Sequence, residues 1–387
     1  MVSRLDRSPL ANWWWTIDKP MLFGLIALMF LGLILSFAAS PAIAELHGLE
    51  SYYFVKRHAV FALPAIGIML GVSLLSPRSI RRLAAAVFFV GVALLVYTLF
   101  AGEAVKGSRR WISVAGFSLQ PSEIVKPAFI LLVAWLFSEQ ARRPEIPGNV
   151  FAIVLLAIFA ALLVAQPDIG QTALVTLTWC AVFFMAGLSW LWIVILGLIA
   201  AGGMVAAYLL LPHVAGRIDR FLNPESTDTY QVDKALEAFY SGGWFGRGPG
   251  EGIVKRGIPD SHTDFIFAVI GEEFGLVACM ALVAIFALLV MRGIYLGFRQ
   301  DNTFVRLAVG GLMIMFGMQA AINMAVNLQL VPTKGMTLPF ISYGGSSMLS
   351  IAVAMGMVLG LARKRPKPSR MMFNAREQQD TPMGLTA

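Results

Sequence analysis

Ten apolar stretches, each long enough to cross a bilayer, constrain this chain more than any other feature. They fall at about 20–40, 59–76, 83–101, 121–138, 149–166, 170–187, 189–211, 265–291, 303–330 and 346–363. A run of 18 or more apolar residues reads as a membrane span. In hydrocarbon each span must satisfy its own backbone, so these runs predict helices. Of the 387 residues, 58% are apolar and 13% charged, against roughly half and a quarter in a soluble domain. The predicted fold is therefore an all-α polytopic membrane protein of about ten transmembrane helices.

Lysine and arginine set the orientation. With the N-terminus inside and alternating spans, the inner segments hold 17 basic and 7 acidic residues, a net of +10, and the outer segments 13 and 15, a net of −2. This favours an N-in, C-in arrangement and explains the total of +8 without nucleic-acid binding. The chain divides into a cytoplasmic N-terminal segment (1–19), a membrane domain (20–365) and a polar, proline-containing disordered tail (366–387). Trp13, Trp14 and Trp15 form an aromatic anchor before a first span that is expected to remain in place. Cys180 and Cys279 lie in separate predicted spans and suggest neither a disulfide nor a thiolate metal site.

The large outer loop, about 212–263 between spans 7 and 8, exceeds what a connection needs. Apolar residues at 235, 236, 239 and 240 predict a short amphipathic helix lying on the membrane. Six glycines in 242–252 suggest a hinge or a close backbone approach to a ligand. They lack the Gly-Lys-Ser/Thr ending and the strand-helix setting of a phosphate loop.

The loop ends at Pro-Asp-Ser-His-Thr-Asp-Phe-Ile-Phe (259–267), which places Asp264 at the mouth of the eighth span, with Glu272 and Glu273 inside it. Carboxylates at membrane depth are costly and tend to serve a task. Other outer segments supply cations: Arg109 and Arg110 with Lys106 beside Trp111, Lys126 three residues after Glu123, and Lys334 in the irregular stretch 331–347. A carboxylate base with several cations suits displacement of a diphosphate, which leaves without a general acid when its charge is met. A glycoside hydrolase would need a second carboxylate as acid. Blander readings also fit. Asp264 could cap its helix, Glu123 and Lys126 could be an internal ion pair, and the basic residues near Trp111 could be interfacial. Asp168 reads as a turn former or helix cap. Gln319, Asn323 and Asn327, on one face of the ninth span, could be interhelical glue or line a cavity.

Lys-Gly-Ser-Arg-Arg-Trp-Ile (106–112), Gln-Pro-Ser-Glu (120–123), the 259–267 motif and Pro-Thr-Lys-Gly-Met-Thr-Leu-Pro-Phe-Ile-Ser-Tyr-Gly-Gly-Ser-Ser (332–347) resemble, in order, the SEDS proteins of shape, elongation, division and sporulation. The wording around Lys334 is more similar to the division member than to the rod-elongation member. The resemblance implies a peptidoglycan glycosyltransferase that polymerises lipid II at the outer face of the bacterial inner membrane, at the division septum. It implies Asp264 as the base on the acceptor 4-hydroxyl. It also implies substrate or diphosphate contacts from Lys334, Glu123 and Lys126. With them we group Arg109, Arg110, Trp111, His262, Ser342 and Tyr343 as candidate substrate-binding residues. No cofactor is otherwise implied, although a divalent cation (Mg or Mn) could meet the diphosphate. Expected partners are a class B penicillin-binding transpeptidase, other septal division proteins and membrane lipids. Two competing readings are a lipid II flippase and a non-catalytic scaffold for the transpeptidase.

Overall fold

The computed structural model describes residues 8–46, 48–105, 108–114, 117–187, 190–210, 215–216, 219, 230–332 and 335–364. A short helix α1 (Pro9–Thr16) precedes α2 (Lys19–Leu46), α3 (Tyr53–Ser73) and α4 (Pro77–Ala101). Three strands follow, β1 (Glu103–Val105), β2 (Ser108–Val114) and β3 (Phe117–Leu119). Next come α5 (Pro121–Arg142), α6 (Gly148–Ala165), α7 (Ile169–Met185) and α8 (Trp190–Leu210). The chain continues through α9 (Tyr230–Gly242), a 3-10 turn (Val254–Gly257), α10 (Ile266–Phe298), α11 (Thr303–Asn327) and α12 (Gly345–Leu361).

Every predicted span coincides with a described helix. Seven are long and apolar enough to cross a membrane, and α7, α12 and the Val194–Leu210 part of α8 are shorter apolar segments. Their starts carry local signals: Ser76 and Asn302 cap α4 and α11 by accepting from Ser79 and Val305 amides, and Pro121 opens α5 with Glu123 in its first turn. Helices α5 and α11 form the centre, each with 67% of its apolar window buried against 22% for α6. They pack on each other, with α4, α6 and α12 also on α5 and α7, α10 and α12 also on α11. Because α5, α10 and α11 each have one end at Asp264 or in the polar network beside it, their other ends mark the opposite face of the bundle.

The small antiparallel sheet β1-β2-β3 departs from an all-α expectation. It pairs Glu103 with Trp111 and Ile112 with Leu119, so aromatic and β-branched residues at 111–114 take the extended form they favour. Helix α9 also departs in detail. It buries Val232, Ala235 and Ala238, with Ala235 and Ala238 packed beside Phe265 and Ala268 of the α10 entry, while Tyr240 stays 84% exposed. Part of its apolar face is spent on protein, at Ala235 and Ala238.

Helix α10 breaks at Gly275, where φ is 78°. The backbone groups this frees are paired by the glycine-rich loop. Leu276 N and Val277 N donate to the Gly243 and Trp244 carbonyls (2.9 and 3.2 Å), while Arg247 N and Gly248 N donate to the Glu272 and Glu273 carbonyls (2.9 and 3.0 Å). Irregular backbone within an apolar helix is tolerated only when protein satisfies it this way. A Cβ at Gly246 would lie 2.2 Å from the Glu273 carbonyl, which is why that position is glycine. The loop's close approach is therefore to a broken helix of its own chain.

Candidate active site

Asp264 ends a tight turn that begins at Asp260, whose φ is 57°. The Asp260 carbonyl accepts from the amides of Thr263 (3.0 Å), Asp264 (3.1 Å) and Phe265 (3.4 Å). The turn is then fixed from α11. Asn323 and Asn327 each donate a side-chain N–H to the Asp264 carbonyl at 2.9 Å, and Asn323 also donates to the Met336 carbonyl at 2.6 Å. The Asn327 side-chain oxygen accepts from Ala268 N (3.1 Å) in the first turn of α10. The polar stripe thus holds two loops and a helix end together. Its interhelical reading is the one realised, with Gln319, Asn323 and Asn327 all at most 2% exposed.

Phe265, not Asp264, occupies the N-cap position of α10. The half-buried Asp264 carboxylate faces the 335–347 segment instead, since a Cβ on Gly335 would sit 3.1 Å from its Oδ2. Lys334, immediately before Gly335, lies outside the described residues, as do Lys106 and the loop positions 220–229. The covering segment is laced to the Asp264 turn. Ser342 donates to the Thr263 carbonyl (2.5 Å) and accepts from Leu338 N (2.7 Å), and Tyr343 N donates to the His262 carbonyl (3.0 Å). The His262 ring lies between Phe54 of α3 (4.2 Å) and Tyr343 (5.6 Å). Burial pushes the Tyr343 phenol above its ordinary range, with Arg57 acting in the opposite sense.

Glu123 and Lys126 do form the buried pair their spacing suggests, at 2.9 Å. They are also joined to the covering segment. Lys126 donates to Gln171 (2.8 Å) and Gln319 (3.1 Å), and Gln319 donates to the Thr337 carbonyl (3.2 Å), whose hydroxyl is paired with Ser347 (2.7 Å). An ion pair this deep persists only because such bonds satisfy its remaining atoms. Gln171 and Thr337, its new members, carried no spacing signal in the sequence.

The cations of β2 point elsewhere. Arg110 is 3.7 Å from Asp168 and donates to the Gln166 carbonyl (2.9 Å), tying the sheet to the turn between α6 and α7. Asp168 is the N-cap of α7, as its position suggests, and accepts from Gln120 (3.2 Å). Burial raises its carboxyl above the ordinary range, with Arg110 acting in the opposite sense. Arg109 is exposed and donates to the Phe100 carbonyl (3.1 Å), and Trp111 is half-buried in β2.

Glu272 and Glu273, flagged by their depth, anchor the approach to Asp264. The Glu272 carboxylate accepts from three consecutive amides, Ile253 (2.7 Å), Val254 (2.7 Å) and Lys255 (2.8 Å), at the start of the 3-10 turn. Glu273 is ion-paired with buried Lys255, which also donates to the Ala38 carbonyl of α2 (2.8 Å). Among the described residues no group of three or more His, Cys, Asp or Glu side chains is placed to hold a metal ion.

The site is the half-buried Asp264 carboxylate with its backbone clamped from α11, beneath a segment anchored to a buried Lys–Glu pair. Comparison with known proteins adds a family to this geometry. A family model described as "Cell cycle protein", covering FtsW, RodA and SpoVE, matches residues 19–367. A Caulobacter vibrioides protein named probable peptidoglycan glycosyltransferase FtsW is 47% identical over 365 residues, covering 94% of each chain. The protein so named from Methylococcus capsulatus is 36% identical over 354 residues, covering 88% of this chain and 89% of the relative. Among solved structures, a chain from a peptidoglycan synthase complex superposes with a TM-score of 0.74 at 26% identity, over 89% of this chain and 97% of that one. Thermus thermophilus RodA gives 0.68 at 26% identity, over 91% and 99%. On both the family model and these relatives, the chain belongs to the FtsW/RodA/SpoVE family that its motifs resemble.

Proposed function

We propose that this chain is a peptidoglycan glycosyltransferase that polymerises lipid II. The observation that carries the reading is the half-buried Asp264 carboxylate, with its backbone carbonyl held by two side-chain amides from α11 and its oxygen beside Gly335. Relatives named as peptidoglycan glycosyltransferases support the reaction class. The more basic face of the bundle, with the N-terminus, is cytoplasmic, and the Asp264 end faces outward from the bacterial inner membrane.

Asp264 takes the proton from the acceptor sugar's 4-hydroxyl as that oxygen bonds to C1 of the donor sugar. The C1–O bond to phosphate breaks, and the lipid diphosphate leaves with the electron pair. Cations meet the charge that develops on the leaving group. Lys334 stands next to Gly335 in sequence and takes that role first, and Lys126 acts through its links to Gln319 and Thr337. Ser342, Tyr343 and His262 keep the covering segment seated on the Asp264 turn. Arg110 holds the sheet against the α6–α7 turn, leaving Arg109 and Trp111 to meet the substrate headgroup.

A transpeptidase of the class B penicillin-binding type is the proposed partner, in keeping with the superposition on a chain from a peptidoglycan synthase complex. The division septum is the proposed site of action, following the name of the relatives. The test is glycan polymerisation from purified lipid II by the solubilised chain with its transpeptidase. Polymer sensitive to a muramidase is expected; translocation of lipid II across vesicles without polymer would replace this reading with a flippase.

A further inference from the structure

The bundle face opposite Asp264 has a cavity of about 320 Å³ where α5 ends and α4 and α11 begin. Its lining includes Arg78, Arg81 and Arg142 against one carboxylate, Glu139, with Phe304 as an apolar wall. The Glu139 carboxylate accepts from Trp135 Nε1 (3.1 Å), and Arg81 lies over the Trp135 ring at 4.9 Å. Among the described residues, Arg78 and Arg142 have no hydrogen bond, ion pair or ring contact. Two helix starts, capped by Ser76 and Asn302, reach the same cavity and add positive potential to it. Arginines that only orient a membrane protein need no shared cavity; these line one, with two guanidinium groups uncommitted.

We infer that this cavity is a binding site for a phosphate group, distinct from the reaction site at the other end of the bundle. Guanidinium forks match phosphate oxygens in pairs, and Phe304 and Pro77 suit the glycerol portion of a headgroup. The phosphate belongs either to an anionic phospholipid of the cytoplasmic leaflet or to a soluble phosphate ion. Both sources use the same two arginines, and the inference does not depend on the proposed glycosyl transfer.

The full chain would be placed in nanodiscs of phosphatidylcholine with or without phosphatidylglycerol, and lipid retention measured by native mass spectrometry. In parallel, unfolding would be followed in phosphatidylcholine discs as inorganic phosphate is titrated. The variant is Arg78→Gln/Arg142→Gln. Its control is Arg82→Gln/Arg143→Gln, which removes the same charge from exposed positions outside the lining. Losing a charge-assisted hydrogen bond to phosphate from each arginine, roughly tenfold apiece, gives roughly hundredfold weaker phosphatidylglycerol retention in the variant, with the control near wild type. Phosphate-dependent stabilisation lost only in the variant, without phosphatidylglycerol enrichment, supports the site with a soluble source. Equal behaviour of variant and control in both arms overturns the inference. Should the double variant fail to fold, Arg142→Gln alone decides the matter, with about tenfold loss expected and no loss refuting.

Discussion

Replacing Asn327 with leucine separates a clamp on the Asp264 turn from passive helix packing. The two side chains have the same number and branching of heavy atoms, so the change removes hydrogen bonds without opening a cavity. Three are lost: to the Asp264 carbonyl (2.9 Å), to the Asn323 carbonyl (2.9 Å) and from Ala268 N (3.1 Å). Side-chain hydrogen bonds between membrane helices average about 0.6 kcal/mol, and buried ones in soluble proteins about 1, so the sum is about 2–3 kcal/mol. The Asp264 carbonyl keeps Asn323, and Ala268 N keeps the Phe265 carbonyl, so the turn loosens rather than unfolds. A displacement of about 1 Å at a reacting group costs on the order of a hundredfold in rate. The assay is initial polymerisation rate against lipid II concentration and pH, beside thermal unfolding in detergent. The expected result is a kcat lowered by about one to two orders of magnitude with an unchanged pH profile, since the base itself remains. A variant with a lowered melting temperature and a wild-type kcat would refute the clamp and leave Asn327 as interhelical glue.

Lys255→Met strands the Glu273 carboxylate at 1% exposure and is expected to cost about 3–5 kcal/mol. Adding Glu273→Gln should recover most of the lost melting temperature. Gly275→Ala would place a Cβ 2.4 Å from Gly246 N at a φ of 78°. At least about 2 kcal/mol of destabilisation is expected, with faster proteolysis within residues 243–252. For Asp168, the raised carboxyl means that the folded state holds the proton more tightly than the unfolded one. Its contribution to stability is therefore greatest at acid pH and declines as pH rises from the ordinary value of 3.8 through the folded one. Asp168→Asn should flatten that part of the unfolding profile, and an unchanged slope would contradict the assignment.

The helices were legible because hydrocarbon leaves a long apolar run only one way to satisfy its backbone. The location of Asp264 was legible because an acid at a span entry is conspicuous against such a background. What escaped depended on partners distant in sequence. Gln171 and Thr337 join the Glu123–Lys126 pair only through α7 and the covering segment, and Lys255 meets Glu273 from the 3-10 turn of the outer loop. The break itself was hidden because Gly275 sits in an otherwise continuous apolar run. The glycines of 242–252 signalled a close approach but not to what. The α9 stripe gave no sign that Ala235 and Ala238 would pack on the α10 entry. The sheet at 103–119 lay in a stretch whose charges drew attention from its alternating pattern.

The most direct measurement is glycan polymerisation by Asp264→Ala beside wild type, each purified with its transpeptidase partner and matched for folding and partner binding. The account predicts polymer from the wild type and none from the variant, which still binds its partner. Equal polymer from both would contradict it and return Asp264 to a structural residue of the turn.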